Sequence, residues 1–387
     1  MEEVLYLSLI SWDRIRQRPQ FIAEGLAKDK KIYYINPPYS FADYFFSKLK
    51  LTPKKVSFFP SNSCNINNNL KIISLPLRPL PNFPLIFNKL YSKILKRQIK
   101  QRVNINRITY IYCTHPFQYY LIKNIDNKKI IYDIMDDYPN AYKGLTKKVV
   151  HKLHLKLIKE ADFIIVSSKY LINREIIQKK HLIVPNGFDE LTFSKKTYDK
   201  KINDPRKIIG YIGYIGNWFD TEKIIKFAKR NPSYLIVLVG PNHLKKPYFK
   251  KYKNILLTGQ VPHKDIPNYI ASFDVCLYPF KQSEFINKVN PIKIYEYLAM
   301  GKPVVAVKTP ETLGFSKYIY LYNTYQEFEK SILSIKTSFI NKRNLKLFLK
   351  NNSWECRIKQ INDFIFKRIF RSPKQLFYWE MRKLTLF

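Results

Sequence analysis

Acidic residues are scarce in this chain. Its 387 residues include 29 aspartates and glutamates against 68 lysines and arginines, so its formal net charge is +39. Solubility does not require such an excess. The charge indicates an anionic partner, and nucleic acid, acidic lipid and a phosphorylated substrate are the candidate classes. A compositional bias toward Lys, Ile and Asn is the alternative source of part of the charge.

Cysteines and long apolar runs are also few. The four cysteines lie far apart, and no two have metal-ligand spacing, which predicts a reducing compartment without a disulfide framework. No run of about 18 apolar residues is present, so no transmembrane helix is expected. Glu2 and Glu3 precede the first apolar run, which argues against a signal peptide. We therefore expect a cytoplasmic protein, free or attached to a membrane face.

Short apolar runs alternate with helical patterns along most of the chain. This alternation predicts α/β architecture with parallel sheets and crossover helices. The length suits two domains. The segment 195–207 is polar and charged with a single proline, which is typical of a linker. We predict a first domain over 1–194, a second over 208–350, and C-terminal basic helices over 351–387.

The segment Val289–Val307 is the most informative part of the sequence. Asn290 suits a helix N-cap, and Pro291 suits the first turn of the helix that follows. A helix N-terminus favours a phosphate, and Lys293 lies in that first turn. Glu296 is three residues further on the same face, where a carboxylate can accept two ribose hydroxyls. The alternative is an ordinary amphipathic helix with an exposed Lys–Glu pair.

This segment resembles the P-x-K-x-x-E-Y-L-A-x-G-x-P-V-V signature of glycosyltransferases with the GT-B fold. More narrowly, it is similar to family 4 and related bacterial enzymes that build cell-surface polysaccharides. The resemblance implies two Rossmann-like, doubly wound parallel-sheet domains facing a cleft, with C-terminal helices that cross back to the first domain. It implies donor-binding roles for Pro291, Lys293 and Glu296, whereas Lys288 stands where many members have a glutamate. The resemblance also implies that no metal is needed. The nucleotide-sugar would be a co-substrate, so no cofactor is expected.

A second motif opens the predicted second domain. Gly213 and Gly216 allow close backbone approach to a ligand, although G-x-x-G also serves tight strand-to-helix turns. With Trp218 and Asp220 the run resembles the G-x-x-G-x-W-x-D loop of teichuronic-acid and related glycosyltransferases, which implies donor contacts for these four residues. Tyr278 ends a later strand and is expected to stack on the base of the donor, with core packing as the alternative.

The first half is expected to bind the acceptor. Its opening resembles the W-x-x-x-x-Q-R-P-Q motif of the same subgroup, which assigns Trp12, Arg14, Arg16 and Arg18 to the acceptor. Arginines suit a lipid-linked diphosphate, and a solvated helix entrance is the alternative. His115 is a further acceptor candidate or a turn residue with Pro116. Segments 160–168 and 184–189 resemble the family's A-D-x-V-I-x-x-S strand and P-N-G-V-D turn.

Three acids, Asp133, Asp136 and Asp137, follow one predicted strand of this basic chain. A carboxylate there could deprotonate an acceptor hydroxyl if a neighbouring acid raises its pKa. Similarity to xanthan-type glucuronosyltransferases suggests Asp136 as the base, with Asp137 next. Alternatively, Asp133 or Asp137 caps a turn or pairs with a lysine.

The segments 77–103 and 357–387 combine basic and aromatic or aliphatic residues, and the first has no acidic residue. Such a pattern is typical of a stretch on an anionic membrane surface. A core-packing helix, or a tail that crosses back to the first domain, is the alternative.

Together these features predict a glycosyltransferase that moves a sugar from a nucleotide-diphosphate donor to a lipid-linked cell-surface polysaccharide (capsule, O-antigen or exopolysaccharide). The expected donor is a UDP-sugar. The enzyme would act at the inner face of the cytoplasmic membrane. A nucleotide-sugar epimerase of the same fold is one alternative. A nucleic-acid-binding protein is another, but no zinc knuckle, RNP-like strand or helix-turn-helix pattern is present, so we expect no nucleic-acid partner.

Overall fold

The computed structural model describes residues 1–13, 16–37, 63–75, 86–123, 125, 127–193, 198–244, 249, 251–335 and 342–367. Arg14, the segments 77–85 and 368–387, and residues 195–197 of the predicted linker lie outside these ranges. Within them, no helix combines the length and the apolar character that a membrane span requires.

The chain divides into two compact units. The first comprises Met1–Val184 together with the described residues from Ile358, and the second comprises Pro185–Arg357. The first division lies about ten residues before the predicted boundary at 194. The division comes earlier because Asn186 and Phe188 already form hydrogen bonds within the second unit. Asn186 bonds to Asn290, and Phe188 bonds to Asn352.

The first unit is built on one sheet of eight strands in the order β3-β4-β2-β1-β5-β6-β7-β8. All neighbouring pairs are parallel except β3 with β4. The strands are β1 Glu3–Leu7, β2 Lys31–Ile35, β3 Ser63–Asn67, β4 Leu70–Ile73, β5 Ile108–Cys113, β6 Lys129–Ile134, β7 Phe163–Val166 and β8 His181–Ile183. The predicted parallel sheet is confirmed, with one antiparallel strand, β3, at its edge.

Helices pack against this sheet. They are α1 Arg18–Leu26, α2 Ile86–Arg102, α3 Tyr119–Ile122, α4 Gly144–Glu160 and α5 Arg174–Ile177. Apolar residues of α4 recur at helical spacing, so Val150, Leu153 and Leu157 are buried against β5 and β6 while its lysines remain exposed. This division explains how so basic a helix belongs to a folded core.

The second unit has a sheet of six parallel strands in the order β11-β10-β9-β12-β13-β14. The strands are β9 Lys207–Ile212, β10 Tyr234–Val239, β11 Ile255–Gly259, β12 Val275–Tyr278, β13 Val304–Val307 and β14 Tyr320–Tyr322. The helices are α6 Glu190–Phe193, α7 Thr221–Arg230, α8 Ile266–Ser272, α9 Ile292–Ala299, α10 Tyr325–Leu333 and α11 Lys342–Asn351. The reversal of strand order between β9 and β12 is the switch point beside which such sheets bind ligands.

The last described helix, α12 Trp354–Ile365, returns the chain to the first unit. Ile358 packs so closely on Gly25 that a side chain at position 25 would overlap it. Phe364 lies edge-on to Phe163 of β7 with ring centroids 5.6 Å apart. These contacts confirm the predicted return of C-terminal helical sequence to the first domain.

Candidate functional site

The carboxyl ends of β9 and β12 carry the second unit's candidate residues, and backbone bonds join the two loops. Asp220 N–H donates to Pro279 O at 2.8 Å, and Lys281 N–H donates to Trp218 O at 2.8 Å. Adjacent parallel strands end at the same sheet edge, so the loops run side by side. The structure thereby brings the glycine-containing loop next to the chain that leads into α9.

Helix α9 begins at Ile292, with Pro291 at its N-cap and no side chain capping it. The prediction that Asn290 caps this helix is wrong. Its Oδ1 accepts the backbone N–H of Asn186 at 3.0 Å. Among the described residues nothing accepts the backbone N–H of Ile292 or Lys293, and these groups are therefore open to a ligand.

Lys293 and Glu296 lie on one face of α9, as their spacing predicts. Lys293 Nζ is 2.8 Å from Glu296 Oε2, with the glutamate side chain 4% exposed and the lysine side chain 22% exposed. A nearly buried carboxylate needs such a partner, because an unpaired one would lose its hydration without compensation. The pair leaves further acceptor positions on the carboxylate for hydroxyl donors.

Three exposed rings form a stack, two from the loop after β9 and one from the loop after β10. Trp218 stacks on Tyr214 with centroids 5.3 Å apart, and Tyr214 stacks on His243 at 4.4 Å. Gly213 has φ +152°, a conformation that favours glycine. Gly216 lies against Trp218: a Cβ there would meet its six-membered ring at 3.0 to 3.1 Å. Sequence reasoning selected Trp218 but missed Tyr214 and His243, which lie in different loops.

Asp220 and Tyr278 have structural partners. Asp220 caps α7, since its Oδ1 accepts the N–H of Lys223 at 3.0 Å and its Oδ2 is 2.8 Å from Lys223 Nζ. Tyr278 is buried and packs on Phe280 with centroids 4.2 Å apart, which fits the packing alternative. Donor contacts for these two residues stay predictions.

In the first unit, Arg18 and Asp133 form a buried ion pair. The guanidinium of Arg18 donates to both Asp133 oxygens at 2.8 to 3.1 Å and to Val184 O at 2.8 Å. Tyr112 OH adds a fourth donor-to-carboxylate bond at 2.9 Å. The side chains of Arg18 and Asp133 are 4% and 0% exposed. Arg18 was expected to contact the acceptor, but the structure places its guanidinium inside the unit, where it ties α1 to the ends of β6 and β8.

Asp136 has a different environment. It is half-buried, and its carboxylate makes no hydrogen bond with any described residue. Burial raises the pKa of Asp136 to about 7, Arg18 opposes this rise, and Asp137 adds to it. The sequence analysis expected a neighbouring acid to raise the pKa, whereas burial is the larger cause. A carboxyl group with a pKa near 7 is suited to general base chemistry.

Asp137 organises the turn that follows. Its Oδ2 accepts Asn140 Nδ2–H at 2.7 Å, and its carbonyl accepts the N–H groups of Asn140 and Ala141 at 3.0 Å. This arrangement fits the alternative of a turn-capping aspartate. Of the three clustered acids, Asp136 is therefore the one with a carboxylate uncommitted among the described residues.

His115 is buried and supports a turn. Its Nδ1 accepts the N–H of Phe117 at 3.2 Å, and its Nε2 lies 3.3 Å from Tyr142 OH. Burial, with the nearby charge of His154, lowers the pKa of His115 to about 3. The ring is consequently neutral, with its proton on Nε2, and the turn role with Pro116 is confirmed.

Trp12 and Arg16 lie near the start of α1. The backbone N–H of Trp12 donates to Asn36 Oδ1 at 2.9 Å, and its ring meets Tyr34 edge-on at 5.0 Å. Arg16 pairs with Glu24, and both side chains are partly exposed. Their predicted acceptor contacts stay predictions. No three His, Cys, Asp or Glu side chains gather as a metal-binding group in the ranges that the structure describes.

Comparisons with known proteins agree with the position of these motifs. Residues 207–336 match the family "Glycosyl transferases group 1". A stretch of 216 residues is 31% identical to TuaH of Bacillus subtilis (strain 168), a protein named for glycosyl transfer in teichuronic acid biosynthesis. The match covers 50% of this chain and 54% of TuaH, so the chain spans about half the length of this curated relative.

Solved structures show the GT-B fold over nearly the whole chain. A sucrose-phosphate synthase from Thermosynechococcus elongatus matches with a TM-score of 0.70 at 13% identity, covering 94% of this chain and 98% of that one. An E. coli trehalose-6-phosphate structure bound with UDP-2-fluoro glucose matches with a TM-score of 0.69 at 11% identity, covering 95% of this chain and 100% of that one. Anabaena Alr3699/HepE in complex with UDP and glucose matches with a TM-score of 0.64 at 13% identity, covering 94% of this chain and 99% of that one. The predicted fold class is confirmed.

The two arginine pairs at the start of α1 yield a matched prediction. Replacing Arg18 with Met leaves the buried Asp133 carboxylate without its cationic partner, so the free energy of unfolding should fall by about 3 to 5 kcal/mol. Arg16→Met breaks a partly exposed pair and should cost less than about 1 kcal/mol. Urea unfolding of both variants measures the difference. Equal losses would show that burial of the Arg18–Asp133 pair has no special importance.

Proposed function

We propose that this chain is a glycosyltransferase that moves a sugar from a nucleoside diphosphate donor to a hydroxyl group of a saccharide acceptor. The observation that carries the proposal is the Lys293–Glu296 pair on the uncapped first turns of α9. A cation and open N–H groups suit a diphosphate, and a buried carboxylate beside them suits a ribose. This combination lies within residues 207–336, which match the family "Glycosyl transferases group 1".

The diphosphate would bind at the start of α9. The N–H groups of Ile292 and Lys293 carry the positive end of the helix dipole, and the Lys293 ammonium adds a full charge nearby. These groups also stabilise the negative charge that develops on the leaving diphosphate as its bond to the sugar breaks. The same groups would therefore contribute to both binding and catalysis.

The ribose would bind at Glu296. Its carboxylate is held by Lys293, so its orientation is already determined before a ligand arrives. Two vicinal hydroxyls can donate to the remaining oxygen positions. We propose uridine as the nucleoside, because two of the structural neighbours of this fold are described as complexes with UDP-2-fluoro glucose or UDP and glucose.

Asp136 would serve as the general base. Its carboxylate takes the proton of the acceptor hydroxyl, the hydroxyl oxygen bonds to the anomeric carbon, and the bond from that carbon to the diphosphate oxygen breaks. The nucleoside diphosphate leaves with the bonding electrons. We assign this role to Asp136 rather than Asp137, because Asp137 already holds the turn at Asn140.

We further propose a lipid-linked acceptor at the inner face of the cytoplasmic membrane. The similarity to TuaH supports a cell-envelope polysaccharide as the product. Helix α2 supports membrane contact: Leu95 and Ile99 are buried in the first unit, while Lys93, Arg97 and Lys100 are exposed. The helix thus packs on the core, as the alternative held, and still offers a basic face to anionic lipid.

Glu296→Ala should abolish stabilisation by UDP. Saturation at about 100-fold over Kd adds roughly 2.7 kcal/mol to the free energy of unfolding, which a thermal-shift assay detects. UDP, GDP, dTDP, CDP and ADP are compared on wild type and variant. An exposed glutamate, Glu190→Ala, is the control. Stabilisation of Glu296→Ala equal to that of the wild type would refute the ribose site.

Asp136→Asn should abolish sugar transfer and leave UDP binding unchanged. In the wild type, transfer should rise with pH through about 7, the pKa that burial gives to Asp136, because only the deprotonated carboxylate accepts a proton. Product analysis by mass spectrometry separates transfer from epimerisation of the donor. An active Asp136→Asn enzyme, or a rate independent of pH between about 6 and 8, would contradict the assignment.

Removing the basic face of α2 should weaken binding to vesicles of phosphatidylglycerol. Each lysine or arginine near such a surface contributes about 1 kcal/mol, so replacing Lys93, Arg97 and Lys100 with Ala should weaken binding roughly hundredfold in cosedimentation. The control replaces three exposed lysines of α11, Lys342, Lys346 and Lys350. Equal losses would show that overall charge, and not α2, attracts the lipid.

A further inference from the structure

The start of α4 exposes a leucine among lysines. Leu145 is 79% exposed, more than any other large apolar side chain in the described part of the first unit except Met1. Lys143, Lys147 and Lys148 flank it in the sequence and are exposed as well. A single exposed leucine is common on protein surfaces, so its exposure alone assigns no role. What distinguishes Leu145 is its basic setting, since the first turn of α4 has no acidic residue.

A leucine of the second unit has the same exposure in the opposite setting. Leu191 is 89% exposed and also lies in the first turn of a helix, α6. The two residues before it, Asp189 and Glu190, are acidic. The two leucines therefore differ in the charge that surrounds them and not in their contact with water. An anionic surface attracts the lysines around Leu145 and finds no such attraction beside Leu191.

Helices α2 and α4 lie on the same face of the first sheet. Their buried side chains, such as Leu95 of α2 and Val150 of α4, belong to one core cluster. The cluster includes Leu5 and Leu7 of β1 but not Tyr6 between them. Because alternate residues of a strand point to opposite faces, this selection identifies a single face. The basic residues of both helices are therefore presented on one side of the unit.

The start of α4 is also bonded to the turn that follows Asp136. Lys147 Nζ donates to Asn140 Oδ1 at 2.8 Å, and Asn140 Nδ2 donates to Asp137 Oδ2 at 2.7 Å. These two bonds join the first turn of α4 to the turn after the proposed base. An acceptor whose lipid stays in a bilayer touching this surface would present its saccharide close to Asp136.

We propose that the start of α4 is a membrane-insertion site, in which Leu145 enters the interfacial layer of an anionic bilayer while Lys143, Lys147 and Lys148 contact lipid phosphates. The inference rests on the part of the proposed function that places the acceptor in a membrane. It adds an apolar contact to the basic face of α2. Salt screens the attraction of the lysines, whereas the transfer of a leucine out of water stays favourable at high salt.

Cosedimentation with phosphatidylglycerol vesicles tests the role of Leu145. Leu145→Ser removes the apolar contact and should weaken binding about tenfold, the effect of taking a leucine side chain out of its apolar surroundings. Leu191→Ser is the matched control and should bind as the wild type does. Both leucines are exposed, so neither variant loses core packing. Equal affinity of Leu145→Ser and the wild type would overturn the inference, because the lysines alone would then account for binding.

Tryptophan fluorescence locates the inserted side chain. Leu145→Trp and Leu191→Trp each add one tryptophan to the four of the chain. Brominated acyl chains quench rings that enter the bilayer, so the added emission should be quenched in Leu145→Trp and unchanged in Leu191→Trp. Quenching in neither variant, or equal quenching in both, would contradict insertion at α4.

The inference and the proposed sugar transfer fail separately. Wild-type protein that does not sediment with the vesicles would overturn the insertion site, while stabilisation by UDP would still support the donor site. Vesicle binding that depends on Leu145, in a protein that no nucleotide stabilises, would leave the insertion site standing and refute the donor site. Transfer to a soluble saccharide acceptor should be the same in Leu145→Ser and the wild type, since the leucine acts through the bilayer alone.

Discussion

A guanidinium and a carboxylate buried together determine how the carboxyl edge of the first sheet is arranged. Arg18 begins α1, Asp133 is the penultimate residue of β6, and Val184 follows β8. The bonds of Arg18 therefore join three separate parts of the unit. Burying two charges is costly unless each is fully bonded. Here Tyr112 supplies the remaining donor to Asp133. The turn that presents Asp136 starts directly from this bonded strand end, and its position depends on the pair.

Three aspartates within five residues illustrate how environment divides chemical roles. Asp133 is neutralised by Arg18, and Asp137 is bonded to Asn140. Asp136 is half-buried without such a partner, and its pKa is raised to about 7. A carboxylate that is fully bonded cannot readily accept a proton, whereas one that is partly desolvated and unbonded can. Local bonding, rather than residue type, therefore separates the proposed base from its neighbours.

Much of the fold and part of the candidate site can be predicted from the sequence, because they depend on local patterns. The apolar runs at 31–35, 163–166 and 234–239 form strands of the two parallel sheets, as the alternation of apolar and helical patterns predicts. The spacing of Lys293 and Glu296 determines that they share a helix face. The Arg18–Asp133 pair joins residues 115 positions apart, and the Tyr214–His243 stack joins two loops. No local pattern reveals such contacts. For Asn290 the local preference for capping was overridden by a tertiary bond to Asn186.

The two ends of the second unit are bonded to each other. Phe188 N–H donates to Asn352 O, and Trp354 N–H donates to Phe188 O, each at 3.2 Å. Gly187 approaches Trp354 so closely that an added Cβ would lie 2.8 Å from its backbone nitrogen. The second unit is thus a continuous insertion whose entry and exit lie side by side. In gene architecture this makes the second unit a cassette, which recombination could exchange for a related one without rebuilding the first unit.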